Sequence, residues 1–221
     1  MFSKSNELPS LLWALERLSW MPESLTNVCR ILCQLIQISP KELPTSNTPY
    51  NSLISIFRIW FPQTNAKMEE RKAVLEIIKK EYPDIAFNLF NSLIYSEDHA
   101  TVGSKMRWRL FSETREISVS HQELYYMRRY VIDSVIELTT PPSFSRAIQI
   151  IGKLDNINWD KVDNVLVCIE EFLYESEENK SIIYHKFRNL IGRHRSFSDT
   201  DWALPEGVLS KMESTAKKFE P

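Results

Sequence analysis

Two proline-containing features each recur after 40 residues in the first third of the chain and divide it into helix-sized pieces. Trp20-Met21-Pro22 and Trp60-Phe61-Pro62 each close a run of apolar residues at helical spacing. Pro9 and Pro49, separated by the same interval, suit the first turns of the helices that precede these marks. Because proline lacks the amide N–H that a helix interior needs, each of these residues marks a helix boundary.

An interval near 40 residues with two helices in each interval is typical of HEAT- and armadillo-like arrays. The chain shows no third copy, and the apolar positions within the two copies do not superpose residue by residue. We therefore predict an all-α protein, an array of about ten helices that is either HEAT/armadillo-like or an irregular helical repeat.

Scarce glycine disfavours the alternative fold classes. The chain has four glycines in 221 residues, against an average usage near 7%. Tight hairpins rely on residues with positive φ, so an all-β or doubly wound fold is disfavoured. No two glycines have the spacing of a phosphate-binding loop, which excludes a nucleotide site of the usual kind.

Apolar stripes at helical spacing set the predicted domain organisation. They recur along the chain except in residues 96–118. We predict one helical array over residues 1–221, with possible sub-blocks 1–95 and 119–221 joined by the irregular segment 96–118. Ser120 and Glu123 have the spacing of a capping box at the start of the second block.

One predicted helix, residues 66–81, has a charged face and an apolar face. Val74, Leu75 and Ile78 are predicted to point inward. The residues predicted to point outward are Glu69, Glu70, Arg71, Lys72, Lys79 and Lys80.

The tryptophans divide into two predicted groups. Trp13, Trp20 and Trp60 lie in or directly after apolar helical runs, and we predict that they pack between adjacent helices. Trp108 and Trp202 lie in irregular segments flanked by charge, and they are predicted to be exposed contact residues.

Charge and cysteine content predict a cytoplasmic chain. The net charge is −2, so no global field attracts nucleic acid or anionic lipid. Three cysteines are too few for a disulfide framework and suit a reducing compartment. No signal-peptide pattern and no membrane span is apparent, so we predict a cytoplasmic protein without a membrane partner.

The sequence contains no pattern typical of a catalytic or metal site. Cys29 and Cys33 have i, i+4 spacing, but no second ligand pair accompanies them, so we predict buried structural thiols. Asp199 and Asp201 lack the glycine and closing glutamate of a calcium loop. We predict no catalytic residue, no cofactor-binding residue, no cofactor and no metal ligand, and we predict that the chain is not an enzyme.

A basic and aromatic region is the sequence feature that points most directly to a binding surface. Arginine with interleaved aromatics can grip a phosphate backbone and stack bases. The same residue types anchor protein interfaces, or they pair with nearby glutamates in a purely structural role. The predicted partner-binding residues are Lys105, Arg107, Trp108, Arg109, Arg115, Arg128 and Arg129, close to Tyr125, Tyr126 and Tyr130. A second, weaker patch with the same three interpretations comprises Arg188, Arg193, His194 and Arg195.

Packing motifs that span most of the chain resemble those of a known class of proteins. These motifs are Leu11-Leu12-Trp13-Ala14-Leu15-Glu16, Asn51-Ser52-Leu53, Pro62-Gln63-Thr64 and Asp201-Trp202-Ala203-Leu204-Pro205. They resemble a helical-repeat region of large bacterial multidomain proteins of the defence or signalling type, in which such a region accompanies an NTPase or effector domain. The resemblance implies a sensor or scaffold role. This chain has no nucleotide-binding or effector segment, so no catalytic residue is carried over.

Together these features predict a non-catalytic protein-interaction module, a scaffold or sensor that forms part of a larger bacterial system. A protein partner is predicted first. The alternative is a nucleic-acid-binding helical protein that uses the arginine and aromatic residues of positions 105–130. The sequence specifies neither the partner's identity nor the oligomeric state.

Overall fold

Helices account for the regular secondary structure in the part of the chain that the structure describes. A computed structural model describes residues 7–39, 47–94, 118–139, 143–157 and 159–221, and no strand occurs in these ranges. The α-helices there are α1 (Glu7–Leu18), α2 (Pro22–Ile38), α3 (Pro49–Phe57), α4 (Met68–Glu81), α5 (Pro83–Leu93), α6 (His121–Leu138), α7 (Phe144–Ile151), α8 (Trp159–Glu170), α9 (Glu177–Ser196) and α10 (Glu206–Lys217). Short 3-10 helices span Leu154–Asn156 and Glu171–Tyr174. The prediction of an all-α helical array is confirmed.

Local sequence signals explain where several helices begin. Pro22, Pro49 and Pro83 are the first residues of α2, α3 and α5, where the missing N–H costs no intrahelical hydrogen bond. Thr48 caps α3, because its Oγ1 accepts the Asn51 N–H at 3.1 Å. The Ser176 Oγ likewise accepts the N–H of Asn179 at the start of α9, at 3.3 Å.

The two 40-residue intervals have different local structures. Pro22 opens α2 directly, whereas residues 62–67 form an irregular connection before α4 begins at Met68. That connection returns to the end of α1: Asn65 N–H donates to the Trp20 carbonyl at 3.0 Å, and the Thr64 hydroxyl donates to the Ser19 carbonyl at 2.6 Å. The first motif therefore spans the boundary between α1 and α2, whereas the second lies in the connection that follows the end of α3 at Phe57, and the two intervals are not structural copies.

The helices pack as two units, Met1–Val131 and Ile132–Pro221, and the division falls within α6. In the first unit α2 packs against α1, α3 and α4, while α5 packs against α3 and α4. Leu25, Leu32, Phe57, Leu75 and Phe90 are buried there. Apart from Ser118, the predicted connecting segment 96–118 lies outside the described residues, so its irregular structure stays a prediction.

The second unit is organised around α9. This helix packs against α7 and α10, and α8 packs against α7 and α10. Ile183, Phe187, Leu190 and Ile191 form the buried face of α9. Among the described helices, none has both the length and the apolarity needed to cross a bilayer.

The structure corrects one prediction about the tryptophans. Trp20 is buried and Trp60 is half-buried, as packing residues should be, but 57% of Trp13 is exposed. The buried residues of α1 are Leu12 and Leu15, and Trp13 lies about 100° around the helix from Leu12. Trp202 is exposed, as predicted, while Trp108 lies outside the described residues.

Candidate functional site

Two of the predicted partner-binding residues, Arg128 and Arg129, lie on α6. Arg129 is exposed, whereas Arg128 is half-buried, and burial lowers the pKa of its guanidinium. The other predicted partner-binding residues lie outside the described ranges, and they are Lys105, Arg107, Trp108, Arg109 and Arg115. The structure therefore describes the α6 part of the predicted surface.

Two exposed tyrosines accompany Arg129 on α6. Tyr125 is 54% exposed and Tyr126 is 51% exposed, although both rings are large and largely apolar. Their ring centroids are 5.9 Å apart in an edge-to-face arrangement. Arg129 Nη1 donates to the Tyr125 hydroxyl at 3.4 Å. We call Tyr125, Tyr126 and Arg129 the tyrosine–arginine face.

Tyr130 extends this face toward α4. It follows Tyr126 by four residues, so the two side chains lie on one side of the helix. Its ring packs edge-on against Phe90 of α5 at 5.8 Å. The Nζ atoms of Lys72 and Lys79 lie 5.3 and 5.9 Å from the centroid of the same ring. Tyr130 thus packs against α5 and has two lysine ammonium groups of α4 close to its ring.

A buried arginine lies deeper in the same unit, at a position that was wrongly predicted to face solvent. Arg71 of α4 was predicted to point outward, yet it is 1% exposed. Its Nη2 donates to Oε1 of Glu123 on α6, while its Nε and Nη1 have no hydrogen-bond partner among the described residues. Burial lowers the pKa of Arg71, and the negative charge of Glu123 partly opposes that shift.

The spacing in the sequence contained a signal for this burial. Arg71 precedes Val74, Leu75 and Ile78 by three, four and seven residues, so it shares their apolar stripe. The predicted capping box at the start of α6 is also altered. Ser120 Oγ accepts the Glu123 N–H at 3.1 Å, as predicted, but the Glu123 carboxylate pairs with Arg71.

The second predicted basic patch, on α9, is largely neutralised by acidic residues. Arg195 pairs with Glu206 at 2.6 Å and with Glu213 at 2.8 Å. Arg188 lies 3.6 Å from Glu213, and Arg193 pairs with Asp155. These contacts favour the structural interpretation of this patch.

His194, the fourth member of that patch, is buried and fixes a loop. Its Nδ1 accepts the backbone N–H of Leu204 at 3.1 Å, so the neutral ring carries its proton on Nε2. Nε2 lies 3.6 Å from Oδ2 of Asp155. The imidazole packs edge-on against Trp202 at 5.3 Å, and Trp202 in turn contacts Phe197 at 5.5 Å. The histidine is thus a structural link between α9 and the loop that carries Trp202.

The environment of His194 predicts an acid-sensitive second unit. Burial is the main cause that lowers its pKa; Arg193 adds to this shift, and Asp155 opposes it. The unfolded chain therefore binds a proton at His194 more readily than the folded chain does. The contribution of His194 to stability is fully present above its unfolded-state pKa of about 6.5. That contribution is lost as the pH falls toward the lower pKa of the folded state. Protonation also removes the acceptor that Leu204 uses.

The measurement is urea unfolding of the wild type and of His194→Gln at a series of pH values below neutrality. We expect the wild type to lose more stability on acidification than the variant, because glutamine offers an acceptor oxygen and does not titrate. Equal pH dependence in the two proteins would contradict the assignment.

The cysteines have a structural environment. Cys29 and Cys33 are buried on α2, as predicted. Burial raises the pKa of both thiols, that of Cys33 to about 12, so neither is a thiolate at neutral pH. Within the described ranges, His, Cys, Asp and Glu side chains form no group of three or more that could hold a metal ion.

The geometry therefore offers two features for function, the exposed tyrosine–arginine face and the contact between Trp202 and Phe197 on the loop after α9. No protein-family model, curated protein or solved structure matches the chain, so any function has to be argued from these residues themselves.

Proposed function

We propose that the chain is a non-catalytic protein-interaction module, a scaffold or sensor that works within a larger bacterial system in the cytoplasm. The observation that carries this proposal is the pair of half-exposed tyrosines beside Arg129 on α6. The resemblance described above supports the larger system, and unpaired cysteines support the cytoplasm.

The chemistry of the face suits a protein partner. Tyrosine and arginine are enriched among the residues that dominate binding energy at protein interfaces. Tyr125 and Tyr126 already contact each other, so little side-chain freedom remains to be lost on binding. Arg129, and Lys72 beside the Tyr130 ring, favour a partner with acidic residues at the contact.

Nucleic acid is the second candidate, and one observation favours it. Exposed tyrosines next to Arg129, with Lys72 close by, could stack bases and contact phosphates. Binding of this kind would weaken steeply as salt is raised, because phosphate contacts release counterions. The neutralised α9 patch gives this candidate no additional support.

The test is affinity capture from a lysate of the source cells, with and without nuclease. It compares the wild type with the double variant Tyr125→Ala/Tyr126→Ala. Tyr174→Ala is the matched control, since Tyr174 is 98% exposed and belongs to the other unit.

We expect the wild type and Tyr174→Ala to capture a partner protein even after nuclease treatment. We expect the double variant not to capture it. We expect a loss of at least about tenfold in affinity, because hot-spot tyrosines contribute about 2 kcal/mol or more. Retention by the double variant at wild-type level would contradict the proposal. Capture only in untreated lysate would favour nucleic acid.

A further inference from the structure

Two aromatic side chains lie exposed and in contact at the end of α9. Phe197 is 50% exposed and Trp202 is 52% exposed. Their ring centroids are 5.5 Å apart, and 44° separates the ring planes. Phenylalanine and tryptophan are enriched where proteins contact one another. The two rings therefore form a small apolar surface that a partner can cover.

The loop after α9 holds these rings in place. The Thr200 N–H donates to the Phe197 carbonyl at 3.0 Å, and the Thr200 hydroxyl donates to the same carbonyl at 2.7 Å. Buried His194 packs edge-on against Trp202 and accepts the Leu204 N–H. Because the surface is ordered before binding, little conformational entropy remains to be lost on association.

The loop that carries the rings is acidic. Residues 197–205 contain Asp199 and Asp201 and no basic residue. Both aspartates are exposed, and neither carboxylate has an ion-pair or hydrogen-bond partner in the described part of the chain. The nearest arginines of α9 in sequence, Arg193 and Arg195, pair with acids outside this loop. The two aspartates thus leave negative charge beside the rings, and we call residues 197–202 the aromatic–acidic loop.

We propose that the aromatic–acidic loop binds a basic segment of a partner protein and places an arginine of that segment against its rings. The face of a tryptophan ring attracts cations more strongly than that of other aromatic residues. An arginine guanidinium can stack on such a ring and donate two hydrogen bonds to a carboxylate. The negative charge of the loop disfavours nucleic acid and anionic lipid as partners. This second interaction surface uses none of the residues of the tyrosine–arginine face and goes beyond the proposed function.

The first experiment is a proton–nitrogen NMR titration of the whole chain that follows the indole Nε1–H of Trp202. The probes are tetra-arginine and tetra-glutamate peptides with blocked ends, compared at constant ionic strength and pH. We expect saturable shifts at Trp202 with tetra-arginine and none with tetra-glutamate. The absence of a saturable shift with tetra-arginine would refute the proposal. A shift of the same signal with protein concentration, without peptide, would identify a second copy of the chain as the occupant and would also refute it.

Two variants test the two parts of the surface separately. Phe197→Ala removes one ring, and Asp199→Asn/Asp201→Asn removes the negative charge with little change in side-chain size. All three side chains are exposed, so we expect both proteins to keep their fold. We expect each to weaken the binding of tetra-arginine by about fivefold, as for the loss of one exposed cation–π contact or of two exposed ion pairs. Unchanged affinity in either variant would overturn the proposal.

Glu171→Gln/Glu178→Gln is the matched control for the loss of charge. Glu171 and Glu178 are exposed and belong to the same unit. Glu178 lies at the start of α9, about 27 Å along the helix from Ser196. We expect this variant to bind tetra-arginine at Trp202 with wild-type affinity. If it loses as much affinity as Asp199→Asn/Asp201→Asn, net charge alone governs the binding and the proposal is wrong.

Discussion

Replacement of Glu123 by alanine is expected to destabilise the first unit by about 3 kcal/mol or more. The reason is the environment of Arg71, whose guanidinium is 1% exposed and, among the described residues, pairs with the carboxylate of Glu123 alone. The loss is largely the cost of an uncompensated buried charge, which exceeds the value of an ordinary hydrogen bond. Urea unfolding followed by circular dichroism measures the change.

Two comparisons separate this explanation from a general loss of packing. Arg71→Met/Glu123→Leu is expected to recover most of the lost stability, because neither charge remains to be compensated. Glu81→Ala is the matched control. It breaks the exposed pair between Glu81 and Arg30 and is expected to have a far smaller effect. If Glu123→Ala is no more destabilising than Glu81→Ala, Arg71 is not buried as described.

In the second unit, the largest single loss is expected from Phe187→Ala, at about 3–5 kcal/mol. Phe187 is fully buried on α9, between Ile183 and Ile191 on the face that contacts α7 and α10. Removal of its ring leaves a cavity that the surrounding helices can fill only in part. Thermal or urea unfolding measures the effect.

Phe197→Ala offers the same chemical change at an exposed position. Phe197 is 50% exposed and contacts Trp202 at the end of α9. We expect it to cost less than about 1 kcal/mol, since surface substitutions away from the core have small effects. Comparable losses from the two variants would contradict the packing of α9.

Much of the fold could be predicted because its signals are local. Pro22, Pro49 and Pro83 mark helix starts through their own missing N–H groups. The spacing of apolar residues within α2 is enough to predict its buried side, and Cys29 and Cys33 lie on that side. Glycine scarcity agreed with an all-helical chain because helices need few positive φ angles.

The errors arose where distant residues decide the environment. Arg71 was assigned to the outer face by its charge, but Glu123, 52 residues away in sequence, compensates that charge in the interior. The α9 arginines formed a basic patch in the sequence, yet the acids that neutralise it come from other elements, including Asp155 and Glu213. Trp13 was assigned to the core because it lies in an apolar helical run, but its angle on α1 places it outside.

The candidate surface could be predicted in part. Arg128 and Arg129 were chosen for composition, and the structure distinguishes a half-buried Arg128 from an exposed Arg129. The exposure of Tyr125 and Tyr126 depends on which side of α6 packs against α4 and α5, and that side is defined by contacts such as Phe90 with Tyr130. The buried residues Met127, Val131 and Val135 have helical spacing, so the sequence indicates the buried side of α6 but not the helices against which it packs.

The central claim is that a protein partner contacts the tyrosine–arginine face of α6. The most direct measurement is site-specific photocrosslinking in the source cells, with a photoreactive amino acid in place of Tyr126 or, as a control, of Tyr174. We expect a nuclease-resistant crosslink to a distinct protein from position 126, and none to that protein from position 174. Equal crosslinking from both positions, or crosslinks from position 126 that disappear with nuclease, would contradict the claim.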